Sequence, residues 1–93
     1  MKIISRIRQK IMRDEFIYSA HTLIDKLPPL GWTTADVLHG IETGKIHRTL
    51  TEDERGTRYV IIGEDLNGYD IYIVCRFRAD KNLILITVYE DYD

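Results

Sequence analysis

Asn67-Gly68 lies between two runs of alternating apolar residues, and no other feature of the chain restricts its fold as much. Asn-Gly supplies the positive-φ residues of a tight hairpin turn whose twist matches that of the flanking strands. The dipeptide predicts antiparallel strands over 57–63 and 69–78, and a third run at 83–89 extends them into a meander through the loop Ala79–Asn82. With Asn67 and Gly68 as the two turn residues, Ile62 faces Ile73, Val60 faces Cys75 and Tyr59 faces Arg76. With a four-residue second loop, Cys75 faces Ile86 and Ile73 faces Val88. One sheet face then carries Val60, Ile62, Ile71, Ile73, Cys75, Phe77, Ile84, Ile86 and Val88, an apolar layer for helices to cover. The other carries Tyr59, Ile61, Tyr72, Val74, Arg76, Leu85, Thr87 and Tyr89.

Helices are expected in the first half. Over residues 2–13, Ile3, Ile4, Ile7 and Ile11 form one stripe and Lys2, Arg6, Lys10 and Arg13 another, with no acid before Asp14. Phe16–Tyr18 reads as a short extended link. Ser19 reads as the N-cap of a helix over 19–27, with Ala20, Leu23, Ile24 and Leu27 as its apolar stripe, ended by Pro28 and Pro29. Thr33 and Asp36 start a helix over 33–43 that turns Val37, Leu38 and Ile41 inward, with Gly44 as C-cap and His39 on the exposed side. Residues 46–50 suit a short edge strand, and Gly63 and Gly68 suit turns. The expected fold is α+β: two to three N-terminal helices on one face of a C-terminal antiparallel sheet of three to four strands. The 93 residues make one domain with one core.

Thirteen Lys and Arg against fifteen Asp and Glu leave a net charge of −2, which excludes a general basic coat for nucleic acid and direct DNA binding. Affinity for phosphates would have to come from a local patch, and the basic stripe of the first helix is the one the sequence offers. Its plain alternative is a solvated helix face. No apolar run approaches the roughly 18 residues of a membrane span, and Arg6, Arg8 and Lys10 interrupt any secretory leader. A single cysteine, Cys75, implies a reducing cytoplasm and a small buried side chain. His21, His39 and His47 lack ligand spacing, so neither a metal nor another cofactor is expected. Tyrosines beside an arginine on an open sheet face suit single-stranded RNA, offering stacking planes and a forked phosphate donor, although both are also ordinary strand residues.

The segments SAH (19–21), TTADVLHGIETGKI (33–46), RYVIIGEDLNG (58–68), IYIVCRF (71–77) and LILITVYE (83–90) together resemble the bacterial domain-of-unknown-function family 4258. Members of that family are similar in layout to RelE-like and MqsR-like toxins, small ribonucleases of toxin–antitoxin pairs. The resemblance implies messenger-RNA cleavage, RNA or the ribosome as target, and an antitoxin protein as partner. Ser19 and His21 match the family's S-x-H, Arg58 and Tyr59 its R-Y, and Thr87 and Tyr89 its T-V-Y. The chain departs from the family at Thr22 (commonly Ala), Asp25 (commonly Arg), Tyr72 (commonly His) and the end of the second helix, where Pro28-Pro29-Leu30 precedes Gly31 in place of the family's Glu-Arg before Gly, one residue longer.

Metal-free RNA cleavage needs a base for the 2′-OH proton, a cation for the phosphorane charge and an acid for the leaving oxygen. The residues suited to those tasks are His21, Arg58, Arg76 and Tyr89, with Tyr59, Tyr72, Thr87, Lys2, Arg6, Lys10 and Arg13 holding substrate. The competing reading is a catalytically inactive interaction module of the same fold, in which the acidic end (Glu90, Asp91, Asp93) and the basic first helix make the contacts. A small-molecule binder is disfavoured, because no glycine-rich phosphate loop is present.

Overall fold

The computed structural model describes residues 1–91, so Asp93 lies outside the described residues. Helix α1 (Ile3–Met12) leads into β1 (Phe16–Tyr18), then a wide π-helical segment (His21–Lys26) that runs into a short helix α2 (Leu27–Leu30). Helix α3 (Thr34–Thr43) follows, then β2 (Lys45–Leu50), β3 (Arg58–Glu64), β4 (Asp70–Phe77) and β5 (Leu83–Tyr89). The helices-then-sheet α+β layout matches the expectation, but the sheet has five strands in the order β1-β5-β4-β3-β2 and is mixed. The extra strand is Phe16–Tyr18, which pairs in parallel with Leu83–Leu85. Leu83 N–H donates to Glu15 O and Ser19 N–H to Leu85 O, so a segment too short to signal a strand satisfies the open edge of β5.

The register of β3 is one residue off the expected one. Tyr59 faces Cys75, Ile61 faces Ile73 and Gly63 faces Ile71. The cause is the turn. Asp65 and Tyr69 close the hairpin, leaving the three-residue loop Leu66-Asn67-Gly68 with Gly68 at φ 85°. The Asp65 carboxylate accepts from Asn67 N–H and Tyr69 N–H, which holds this longer turn in place. One added loop residue turns over every β3 side chain. Ile61 and Tyr59 therefore join the helix-side core, and Val60 and Ile62 move to the outer face.

The β4–β5 connection repeats the device. Arg78 N–H donates to Asn82 O around a three-residue loop, and Lys81 takes the left-handed position at φ 72°. Leu83 and Leu85 thus face the helices where Ile84 and Ile86 were expected, until a bulge at Ile86 restores the anticipated pair Ile73–Val88, with Val74 opposite Thr87 and Tyr72 opposite Tyr89.

The core lies between helices and sheet, with Ile7, Val37, Ile41, Ile61, Ile71, Ile73, Leu83, Leu85 and Val88 fully or almost fully buried. Helix α3 crosses the sheet at a glycine contact. Gly63 is a strand residue rather than a turn residue, and a Cβ there would overlap the Gly40 carbonyl oxygen. A Cβ on Gly40 would sit 2.6 Å from Ile71 Cγ2. The second helix departs from expectation as well. Pro28 and Pro29 occupy the first positions of α2, where a missing N–H is harmless, and Gly31 at φ 72° ends it with bonds from Trp32 N–H to Leu27 O and Gly31 N–H to Pro28 O. Leu23 and Ile24, expected inward, are exposed; Thr22 is buried instead.

Candidate nucleic-acid interface

Residues Arg6, Lys10 and Arg13 recur at helical spacing on α1, and this face lies against the β4–β5 turn. Together with Gln9, Phe77, Arg78 and Lys81 they line a groove of about 420 Å3. Five cations thus surround one opening in a chain of net charge −2. The Arg6 guanidinium carbon stands 4.5 Å above the centroid of the Phe77 ring, a cation–π contact that leaves the arginine's edge for an anion. Two acids partly balance the set: Glu15 lies 3.7 Å from Lys10 and Asp80 lies 3.5 Å from Arg78. The Arg78–Asp80 pair is solvent-exposed and contributes little, whereas the Glu15 oxygen that faces Lys10 is buried. Arg8 points the other way. Its guanidinium donates to Ile41 O (3.1 Å) and Gly44 O (2.7 Å), placing a cation on the C-terminal carbonyls of α3 and setting the position of α1.

Arg76 precedes Phe77 and projects from the other side of the same sheet end. On that helix-free face it alternates with Tyr72 and Val74, which form a second cluster with Val60, Leu50, Ile62, Ile86 and Tyr89. Tyr72 and Tyr89 stack, with centroids 4.9 Å apart and planes 11° from parallel. His47 meets the Tyr72 ring edge-on at 5.4 Å. Tyr72 is buried, at 6% exposure, so it packs the outer cluster instead of presenting the open face expected of it; burial, and then the Asp91 carboxylate that accepts its hydroxyl hydrogen bond, push its phenol above the ordinary range. Thr87 lies beside this pair, opposite Val74. Arg58 is on the same face but is ion-paired to Asp53, whose carboxyl is held below its usual range by the Arg55 N–H and then by Arg58 itself.

Three positions expected from the sequence, Tyr59, His21 and Lys2, do not join these surfaces. Tyr59, expected to pair with Arg76, faces the helices and meets the Phe77 ring edge-on at 6.1 Å, a consequence of the β3 register. His21 is exposed, with Nδ1 3.3 Å from Asp25 Oδ2, and the sheet order puts β5 and β4 between its helix and Arg58. Its neighbours explain the location. Ser19 Oγ donates to Ile86 O and accepts from Thr22 N–H, while Thr22 Oγ1 donates to Leu85 O, so the S-x-H segment clamps the bulged edge of β5. Lys2 is exposed at the start of α1 and does not line the groove. Burial pushes the Cys75 thiol up to about 12, which removes it as a nucleophile. Among the described residues, no group of three or more His, Cys, Asp or Glu is placed to hold a metal, and no helix is long and apolar enough to cross a membrane.

The family model described as "Domain of unknown function (DUF4258)" matches residues 31–90, about two thirds of the chain. The chain belongs to the DUF4258 family. Comparisons with curated proteins and with solved structures gave no match. The matched DUF4258 segment contains α3 and β2–β5, and so supplies Phe77, Arg78 and Lys81; α1, with Arg6, Lys10 and Arg13, precedes it. The groove therefore forms where the DUF4258 segment meets the N-terminal helix.

Arg78, Lys81 and Gln9 were not anticipated as groove residues. Their one sequence signal is the basic character of the turn Arg78-Ala79-Asp80-Lys81, which acquires meaning only when α1 is placed beside it. Lys81 also occupies a backbone conformation that favours glycine. Lys81→Gly should therefore stabilise the fold by about 0.5–1 kcal/mol in urea titrations while weakening polyanion binding. A variant that loses stability would show that the Lys81 side chain contributes packing that outweighs its backbone strain.

Proposed function

We propose that this DUF4258 domain is an RNA-directed protein of RelE- or MqsR-like toxin layout, which grips the phosphodiester backbone at its basic end. The observation that carries the reading is the concentration of Arg6, Lys10, Arg13, Arg78 and Lys81 around one groove, with Arg76 on the other side of the same strand end. Phosphate neutralisation by such a set supplies affinity without sequence preference and makes it strongly dependent on salt. Tyr89, half-buried and stacked on the buried Tyr72, and Arg76 offer an aromatic ring and a guanidinium on the outer face, suited to a single strand whose bases are splayed. In this reading the ribose 2′-OH of messenger RNA attacks the adjacent phosphorus and the 5′-oxygen leaves, with Arg76 and Arg58 stabilising the phosphorane charge, water oriented on the ribosome taking the 2′-OH proton and the Tyr89 hydroxyl protonating the leaving oxygen; an antitoxin protein controls the activity.

Fluorescence anisotropy with a labelled single-stranded RNA tests binding. Arg6→Glu/Arg13→Glu should weaken it by roughly 30-fold or more at low salt and flatten the salt dependence. Equal affinity of the parent for duplex DNA would overturn the RNA assignment. Expression in cells tests cleavage: growth arrest with broken transcripts is expected, relieved by Arg76→Ala. Unimpaired growth with intact transcripts would leave the second reading, a non-catalytic interaction module. That reading is favoured by one observation, the two strands, β5 and β4, that separate the segment of His21 from Arg58 in the sheet order.

A further inference from the structure

We propose that the β3–β4 hairpin tip of one molecule docks into the cationic groove of a second copy, so that the chain assembles head to tail and covers its own polyanion site. The tip presents two large side chains to solvent, Leu66 at 58% and Tyr69 at 72% exposure. Glu64 and Asp70 flank them directly across the strand pair, a juxtaposition of like charges that destabilises the isolated hairpin. Lys45 is the single cation lining the depression beside these two carboxylates. Asp65, by contrast, is committed internally to Asn67, Tyr69 and Trp32. The groove is complementary on each count: cations for Glu64 and Asp70, and the exposed guanidinium groups of Arg6 and Arg13, beside Phe77, for the Tyr69 ring.

Topology sets the mode of assembly. The tip lies at the Asp70 end of β4 and the groove at the Phe77 end, a separation of about 25 Å along an eight-residue strand. No molecule can fill its own groove. Each contact is heterologous, so copies add head to tail, into a ring where the rotation between copies closes and into an open chain where it does not. The contact uses solvent-exposed charges and is therefore reversible and sensitive to salt. It rests on the RNA reading only for its consequence, competition with RNA for the groove.

Sedimentation equilibrium tests the proposal. At low ionic strength the weight-average mass should climb with concentration past twice the 10.9 kDa monomer, and it should return to the monomer at about 0.5 M salt. A tip variant, Leu66→Ser/Tyr69→Ser, and a groove variant, Arg6→Glu/Arg13→Glu, alter only exposed side chains. Each should be monomeric alone, and their mixture should stop at a one-to-one heterodimer. A parent that stays monomeric, a variant that assembles as the parent does, or a mixture that stays monomeric would overturn the proposal. The tip variant retains the whole groove, so its RNA affinity reports on the proposed function separately from assembly.

Discussion

Gly63→Ala should destabilise the protein by about 3 kcal/mol or more, the upper end of overpacking effects. The added methyl would overlap the Gly40 carbonyl oxygen and stand 2.6 Å from the Gly40 carbonyl carbon, so helix backbone is what must move. Flexible side chains could rotate away; α3 cannot, because Arg8 holds its C-terminus and Asp36 holds its N-terminus to the hairpin loop. A domain of this size has a stability of only about 5–14 kcal/mol, so the melting temperature should fall by roughly 10–20 °C. Gly31→Ala is the contrasting case. At φ 72° with nothing within 4 Å of the new Cβ, it should lose only about 1–2 kcal/mol, from backbone strain alone. Thermal melts of the two variants compare steric with conformational demands. Equal losses would mean that the α3–β3 contact yields easily.

Asp65→Ala should cost about 2–4 kcal/mol by stranding donors that the carboxylate now satisfies. These are the Asn67 and Tyr69 N–H groups and Trp32 Nε1–H at 3.0 Å. The neighbouring Asp36 accepts from Thr33 N–H, Thr33 Oγ1 and Leu66 N–H, so the two acids bind the start of α3 to the β3–β4 turn. Burial opposes the charge of Asp65, but the bonds from Tyr69, Trp32 and Asn67 outweigh it and hold the carboxyl below its usual range. Asp36 is lowered first by the Thr33 N–H and then by that of Leu66, against burial.

A folded-state pKa below the unfolded one means that the ionised forms stabilise the fold. Their contribution is complete above the unfolded value of about 3.9 and disappears as pH falls through the depressed folded values. Urea midpoints should therefore change little on this account between pH 7 and 5 and drop below about pH 4. In Asp65→Ala the acid-induced drop should be smaller, because one of the carboxyls held below the usual range is gone. An unchanged profile would show that other groups govern acid unfolding.

The legible parts of the fold share one property: their signals are local. The Ile3–Ile7–Ile11 stripe, the Thr33–Asp36 capping box and the alternation in β4 each need only a few neighbouring residues to be read, and each forms as its pattern requires. Placement of the candidate site residues was less legible. Tyr59 went to the inner face because the Asp65 side chain stabilises a three-residue turn where Asn-Gly by itself suggests two. β1 escaped notice because three residues carry too little pattern, and its partner strand lies more than sixty positions away. Half of the cationic groove was visible as the basic stripe of α1; the other half is a turn that sequence distance conceals.

By itself the sequence determined the α+β class, the main helices and strands and the core face of β4. Those features follow from periodicity, capping and turn chemistry within short stretches of chain. Only the tertiary structure decided which face of β3 is buried, where His21 stands relative to Arg58, and that α1 brings its cations to Arg78 and Lys81. Sheet register is collective: a change of one loop residue inverts a whole strand, and no local propensity records how two distant elements will pack.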